Sequence, residues 1–197
     1  MMFMIRAAAE YLTDWCIRVG NKNGDRDIIA YGLECRITDI AQTAALVIMA
    51  LLMGRPVQVL LFCLCFTSLK QSMGGYHAPN HFLCISGFTA LAAGGSLLPD
   101  LIPPDMFLPV VACCVLLTLG TSLVVKPKAH QNHPKSEYAG RKSRKRAVCI
   151  AIVQAVSLVG LSILLPHQSQ FWLAGAFGGS AAALTLIISK CGGRGRT

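Results

Sequence analysis

Charge is scarce in this chain, and negative charge is scarcer still. Of its 197 residues 14% are charged and nine are Asp or Glu, while 54% are hydrophobic. A soluble domain carries about 25% charged residues, so there is too little polar surface here to cover a water-exposed globule. No two cysteines stand in C-x-x-C spacing, which removes a common zinc signature. Nine cysteines are present, but Cys63, Cys65, Cys113, Cys114 and Cys149 lie inside apolar runs, where a thiol behaves as a small hydrophobe. A disulfide framework is therefore not expected. Nor is a secretory signal: Glu10 and Asp14 interrupt the first apolar stretch, and no clean cleavage site follows.

The apolar runs themselves are abundant. Residues 81–98, 106–125, 147–165 and 171–189 approach the ~20 residues that cross a bilayer. Two further runs, 41–53 and 57–69, are clearly apolar for only 13 residues each. They span if residues 37–42 and 70–73 complete them, with Asp39, Gln42 and Thr43 turned inward near one membrane face; a re-entrant hairpin over 37–73 is the alternative. Ahead of them Arg6, Glu10, Asp14 and Arg18 recur every four residues among Tyr11, Leu12, Trp15 and Ile17. That pattern predicts an amphipathic helix over residues 1–20, lying in the membrane interface or docked on the core, with Asp14 and Arg18 in the favourable i,i+4 order. The fold class is thus all-α: a polytopic integral membrane protein with about six transmembrane helices after an N-terminal amphipathic helix. Residues 1–197 form a single membrane-embedded domain, with the first three spans in 37–98 and the last three in 106–189.

The few charges are segregated. Residues 126–146 hold eight Lys or Arg and one acid, Glu137, out of a net charge of +9 for the chain. A basic segment between apolar runs marks a cytoplasmic loop; nucleic-acid binding is not expected, because no soluble domain surrounds it. Six spans then place both termini in the cytoplasm. The loops near Pro99 and Pro166 lie outside and hold no Lys or Arg, and Arg55 is the one exception to the charge rule. Small residues at four-residue spacing, Ser86, Ala90 and Gly94 on one span and Gly175 and Gly179 on another, are candidate helix contacts.

One stretch carries chemistry-bearing residues: "SMGGYHAPNHFLC", residues 72–84. Gly74 and Gly75 break the incoming helix, and Pro79 suits the first turn of the next, which sets Cys84 one to two turns inside it. His77 and Cys84 would share a face about 10 Å apart at their Cα atoms, with Cys84 leaning back toward His77. A thiol needs such a neighbour to react at neutral pH. His81 stands four residues from His77 and three from Cys84, so the three residues also have the look of a partial zinc set, although no fourth ligand is evident. A histidine pair at the membrane interface beside a packed cysteine is the third reading. Spacing leaves all three open.

The Gly-Gly-Tyr-His motif with cysteine seven positions after its histidine resembles the AgrB family, the membrane endopeptidases of accessory gene regulator quorum sensing. "AYGLE" at 30–34, "SLKQSMGGYHA" at 68–78 and the basic loop agree with it. The resemblance implies that His77 and Cys84 are the catalytic pair, and that Lys70, Gly74, Gly75 and Glu34 support the motif or bind substrate; the family usually has arginine where this chain has Lys70. It further implies an AgrD-like precursor peptide as partner, cleavage of its acidic C-terminal tail through a thioester, and a cyclic thiolactone or lactone product. It implies contact with membrane lipid, a homodimer, no cofactor, no metal and no nucleic acid, in a bacterial cell membrane. A small transporter without peptidase chemistry is the alternative, although transporters commonly place ionisable groups at mid-membrane and here Asp39 lies near an edge at best.

Overall fold

The computed structural model describes residues 2–20, 26–73, 81–125 and 137–191. Among them are seven α-helices and no strand. They are α1 (Met2–Gly20), α2 (Arg26–Leu52), α3 (Pro56–Met73), α4 (His81–Leu97), α5 (Phe107–Val124), α6 (Glu137–Leu164) and α7 (Ser169–Cys191). Short 3-10 turns at Leu98–Leu101, Pro104–Met106 and Pro166–Gln168 make the corners, and each has proline at its start, where a fixed φ and a missing N–H cost nothing.

The all-α membrane architecture expected from composition is found. Among the described residues, five helical stretches are long and apolar enough to cross a membrane: α2, Leu83–Leu101, Pro104–Val124, Gly140–Leu164 and Pro166–Ser189. The sixth expected span is α3, 18 residues long or about 27 Å, close to the ~30 Å hydrocarbon core. It sits at the centre of the bundle, packed on α7, α6, α4 and α2. Gln58 and Ser72 are buried on it beside Phe62, Phe66, Leu69 and Met73. Its most extensive packing is against α7. A Cβ built on Gly178 would collide with the Phe62 carbonyl oxygen, and one on Gly95 with the Phe62 ring. Two glycines, one on α7 and one on α4, therefore make room for a single phenylalanine of α3. Outer faces carry the reverse pattern, with Leu52, Leu116, Val124, Val156 and Leu164 exposed, as lipid-facing surfaces require.

Several sequence expectations change. The first span is 27 residues long, not the run 37–53, because residues 26–36 continue the helix while packing on α1. Ala9 and Thr13 of α1 are buried there, and Tyr11, Trp15 and Val19 stay exposed on the opposite side. Asp14 pairs across this hairpin with Arg26, at 3.1 Å from Nε and 3.0 Å from Nη2, rather than along its own helix with Arg18. Helices α2 and α3 meet in a Schellman turn. Gly54 has φ +66°, its N–H donates to the Leu51 carbonyl at 3.1 Å, and the Arg55 N–H donates to the Ala50 carbonyl at 3.0 Å, which satisfies the last carbonyls of α2. Of the two helices in 37–73, α2 is long and apolar enough to cross a membrane, and α3 falls just short of that measure.

The basic segment is not wholly a loop. Its second half opens α6, so Arg141 to Arg146 are helical, while residues 126–136 lie outside the described residues. Of the small-residue spacings, Gly175 and Gly179 do lie at contacts, against Leu158 and Cys65 and against Gln154 and Thr118. Ser86, Ala90 and Gly94 are exposed on α4, so that stripe does not serve packing within the chain.

Candidate active site

Cys84 is the fourth described residue of α4, and the expected first-turn position of Pro79 lies outside the described residues. Its thiol is half-buried on the wall of a groove of about 630 Å³ between α2, α3 and α4. Because α2 and α3 run antiparallel from the Gly54 turn, the groove has unlike ends. At the Cys84 end stand Asp39, Gln42 and Thr43 of α2 and Thr67, Lys70 and Gln71 of α3. Toward the turn the lining is apolar, with Leu46, Ala50, Leu51, Val59 and Leu60.

Aromatic packing fixes the groove floor. Phe66 and Phe88 both line it, with ring centroids 4.6 Å apart, and Phe62 lies behind Phe66 at 6.1 Å. The Lys70 ammonium sits over the Phe66 ring, 5.2 Å from its centroid, a geometry that holds a cation by the ring quadrupole. Cys84 is one helical turn from Phe88, so thiol and ammonium are both referenced to the same aromatic pair. Behind α3, Gln154 of α6 donates to the Cys65 carbonyl at 3.0 Å and to the Ser68 hydroxyl at 2.9 Å, which pins the helix that carries Lys70 with bonds of the kind that hold membrane helices together.

The expected site residues thus fall into three places. Cys84 and Lys70 come together in one groove. Glu34 does not join them; it lines a separate polar pocket of about 420 Å³ between α1 and α2 with Glu10, Arg26, Asp27 and Tyr31. His77, Gly74 and Gly75 lie outside the described residues, as does the side chain of His81. Among the described residues no three His, Cys, Asp or Glu side chains gather to hold a metal ion. The α2 wall, Asp39 with Gln42 and Thr43, was visible in the sequence only as polar residues turned inward, and their place opposite Lys70 and Gln71 comes from the hairpin.

The groove and the basic helix end share one side of the bundle. Ser122, near the end of α5, donates to the Met73 sulfur at 3.7 Å, and Arg144 donates to the adjacent Leu123 carbonyl. The end of α3, the end of α5 and the start of α6 are therefore neighbours.

No curated protein and no solved structure matches the sequence. A family model described as "Accessory gene regulator B" matches residues 6–186, which takes in most or all of each helix and the whole lining of the groove. The chain belongs to the accessory gene regulator B (AgrB) family.

Proposed function

We propose that this protein is a membrane cysteine endopeptidase that removes the C-terminal tail of an AgrD-type precursor and leaves the remainder as a thioester for ring closure. Membership of the AgrB family ties the chain to AgrD processing in quorum sensing. The observation that carries the cysteine assignment is Cys84 on the wall of a peptide-sized groove with its polar groups gathered at the thiol end.

The chemistry follows from those parts. A peptide segment laid along the apolar lining presents its scissile carbonyl to Cys84. His77 takes the thiol proton as sulfur attacks, then gives it to the departing amine of the tail. The peptide bond breaks, a thioester to Cys84 forms, and its acyl group stays activated. A thiol within the substrate then attacks that carbonyl, passes its proton through His77 and displaces Cys84. The products are a thiolactone and a free tail, with no water consumed. Water reaching the thioester would instead give a linear acid, so the substrate thiol must reach the carbonyl first.

Orientation belongs to the same proposal. The basic segment and the groove's polar end share one side, which the positive-inside rule assigns to the cytoplasm, together with both termini. A single membrane-embedded peptidase domain, acting as a homodimer, completes the reading. The test is reconstitution of purified protein with a precursor containing an internal cysteine and an acidic tail, followed by mass spectrometry. Released tail plus an acyl adduct on Cys84 that hydroxylamine removes is the expected result. Intact precursor moved across the vesicle membrane would support a transporter instead.

A further inference from the structure

The first turns of α6 carry a cationic face that the peptidase reading leaves unused. Lys142, Lys145 and Arg146 are exposed and stand at i, i+3 and i+4, on one side of the helix. Their neighbours have other work: Arg144 donates to the Leu123 carbonyl and so caps α5, and Ala147 and Ala151 are fully buried on the opposite side.

What continues below the cations decides the partner. On the same side of α6, Cys149, Ile152, Val153 and Val156 are exposed in sequence down the helix. Beside them, Leu123 and Val124 at the end of α5 are exposed as well. α5 and α6 are both among the helices able to cross a membrane, so this stripe faces acyl chains. The three cations sit directly above it, at the level of the headgroups. An acidic peptide would need only the charges; a phospholipid uses the charges and the apolar stripe together.

We propose that Lys142, Lys145 and Arg146 form a binding site for the headgroup of an anionic phospholipid, whose chains lie along the exposed stripe of α5 and α6. The site holds the polar end of the bundle, where Cys84 stands, against an anionic leaflet. It is independent of the reaction assigned to Cys84.

The experiment uses the full chain in non-ionic detergent, titrated with phosphatidylglycerol or phosphatidylcholine, with bound lipid counted by native mass spectrometry. The wild-type chain is expected to prefer phosphatidylglycerol, and Lys142→Gln, Lys145→Gln and Arg146→Gln each to cut that preference roughly fivefold. Arg18→Gln and Arg36→Gln, exposed cations elsewhere, should leave it unchanged. Loss of preference as salt rises in the wild-type chain supports the site without any variant. Equal losses in the Arg18 and Arg36 variants would assign the effect to net charge and overturn the proposal. So would a preference that survives the triple substitution, or a glutamate-rich peptide that binds the patch while phosphatidylglycerol and phosphatidylcholine bind alike.

Discussion

Arg55 and Asp100 tie the far end of the groove to the bundle. From the turn between α2 and α3, Arg55 donates both terminal guanidinium nitrogens to the Asp100 carboxylate, one at 3.0 Å, and also donates to the Ser96 carbonyl at 3.1 Å. Leu51 and Pro56 on either side of that turn line the groove, so this pair helps set how far α2 stands from α4. It also bears on the expected charge-rule exception: paired with Asp100, the Arg55 guanidinium carries its counter-charge with it.

Breaking this pair should cost little individually and show clear coupling. Both side chains are partly exposed, which limits such a pair to about 1 kcal/mol. Arg55→Ala and Asp100→Ala should each lower the thermal unfolding temperature in detergent, and the double variant should lose less than the sum. Strict additivity across the four proteins would mean that the pair contributes nothing.

The contact of α7 with α3 should tolerate no side chain at Gly178. A methyl there meets the Phe62 backbone, which cannot yield as a flexible side chain would. Gly178→Ala is expected to destabilise by roughly 1–3 kcal/mol, the usual range for overpacking. Gly94→Ala, with nothing within 4 Å of its new Cβ, should leave the unfolding temperature of the isolated chain unchanged. Similar losses at both positions would point to helix geometry rather than the Phe62 contact.

Orientation can be read by thiol labelling of intact cells, in a background without reactive native thiols. A cysteine at Ser136 should be shielded from an impermeant reagent, and one at Gln168, exposed in the turn before α7, should react. The reverse pattern would put the groove's polar end outside the cell.

Much of this fold is legible in the sequence because lipid imposes one simple requirement, a long apolar helix. Residues 106–125 and 171–189 meet it plainly, and the helices end within about a turn of those limits. α2 is longer than its apolar run because Arg36, Asp39 and Gln42 interrupt that run; Gln42 and Asp39 line a groove, and periodicity alone does not reveal a groove. α6 begins well before its apolar run for a related reason. Lys142, Lys145 and Arg146 read as loop by charge, yet they extend a helix beyond the apolar run. Pairings across the bundle, Arg55 with Asp100 and Asp14 with Arg26, depend on how helices meet and leave no mark in local spacing. Cys84 was legible through its motif, whereas its association with Lys70 and not with Glu34 required the packed helices.

The central claim is that Cys84 and His77 perform the cleavage and His81 does not. The most direct measurement is tail release from a co-expressed precursor, read by mass spectrometry, in four proteins of equal membrane insertion: wild type, Cys84→Ala, His77→Ala and His81→Ala. Without the thiol there is no nucleophile, and without His77 neither thiol deprotonation nor protonation of the leaving amine proceeds. Release should therefore vanish in the Cys84 and His77 variants and persist in the His81 variant and in the presence of a chelator. Tail release by Cys84→Ala, or loss of release both in His81→Ala and on chelation, would contradict the account and turn the site toward a metal.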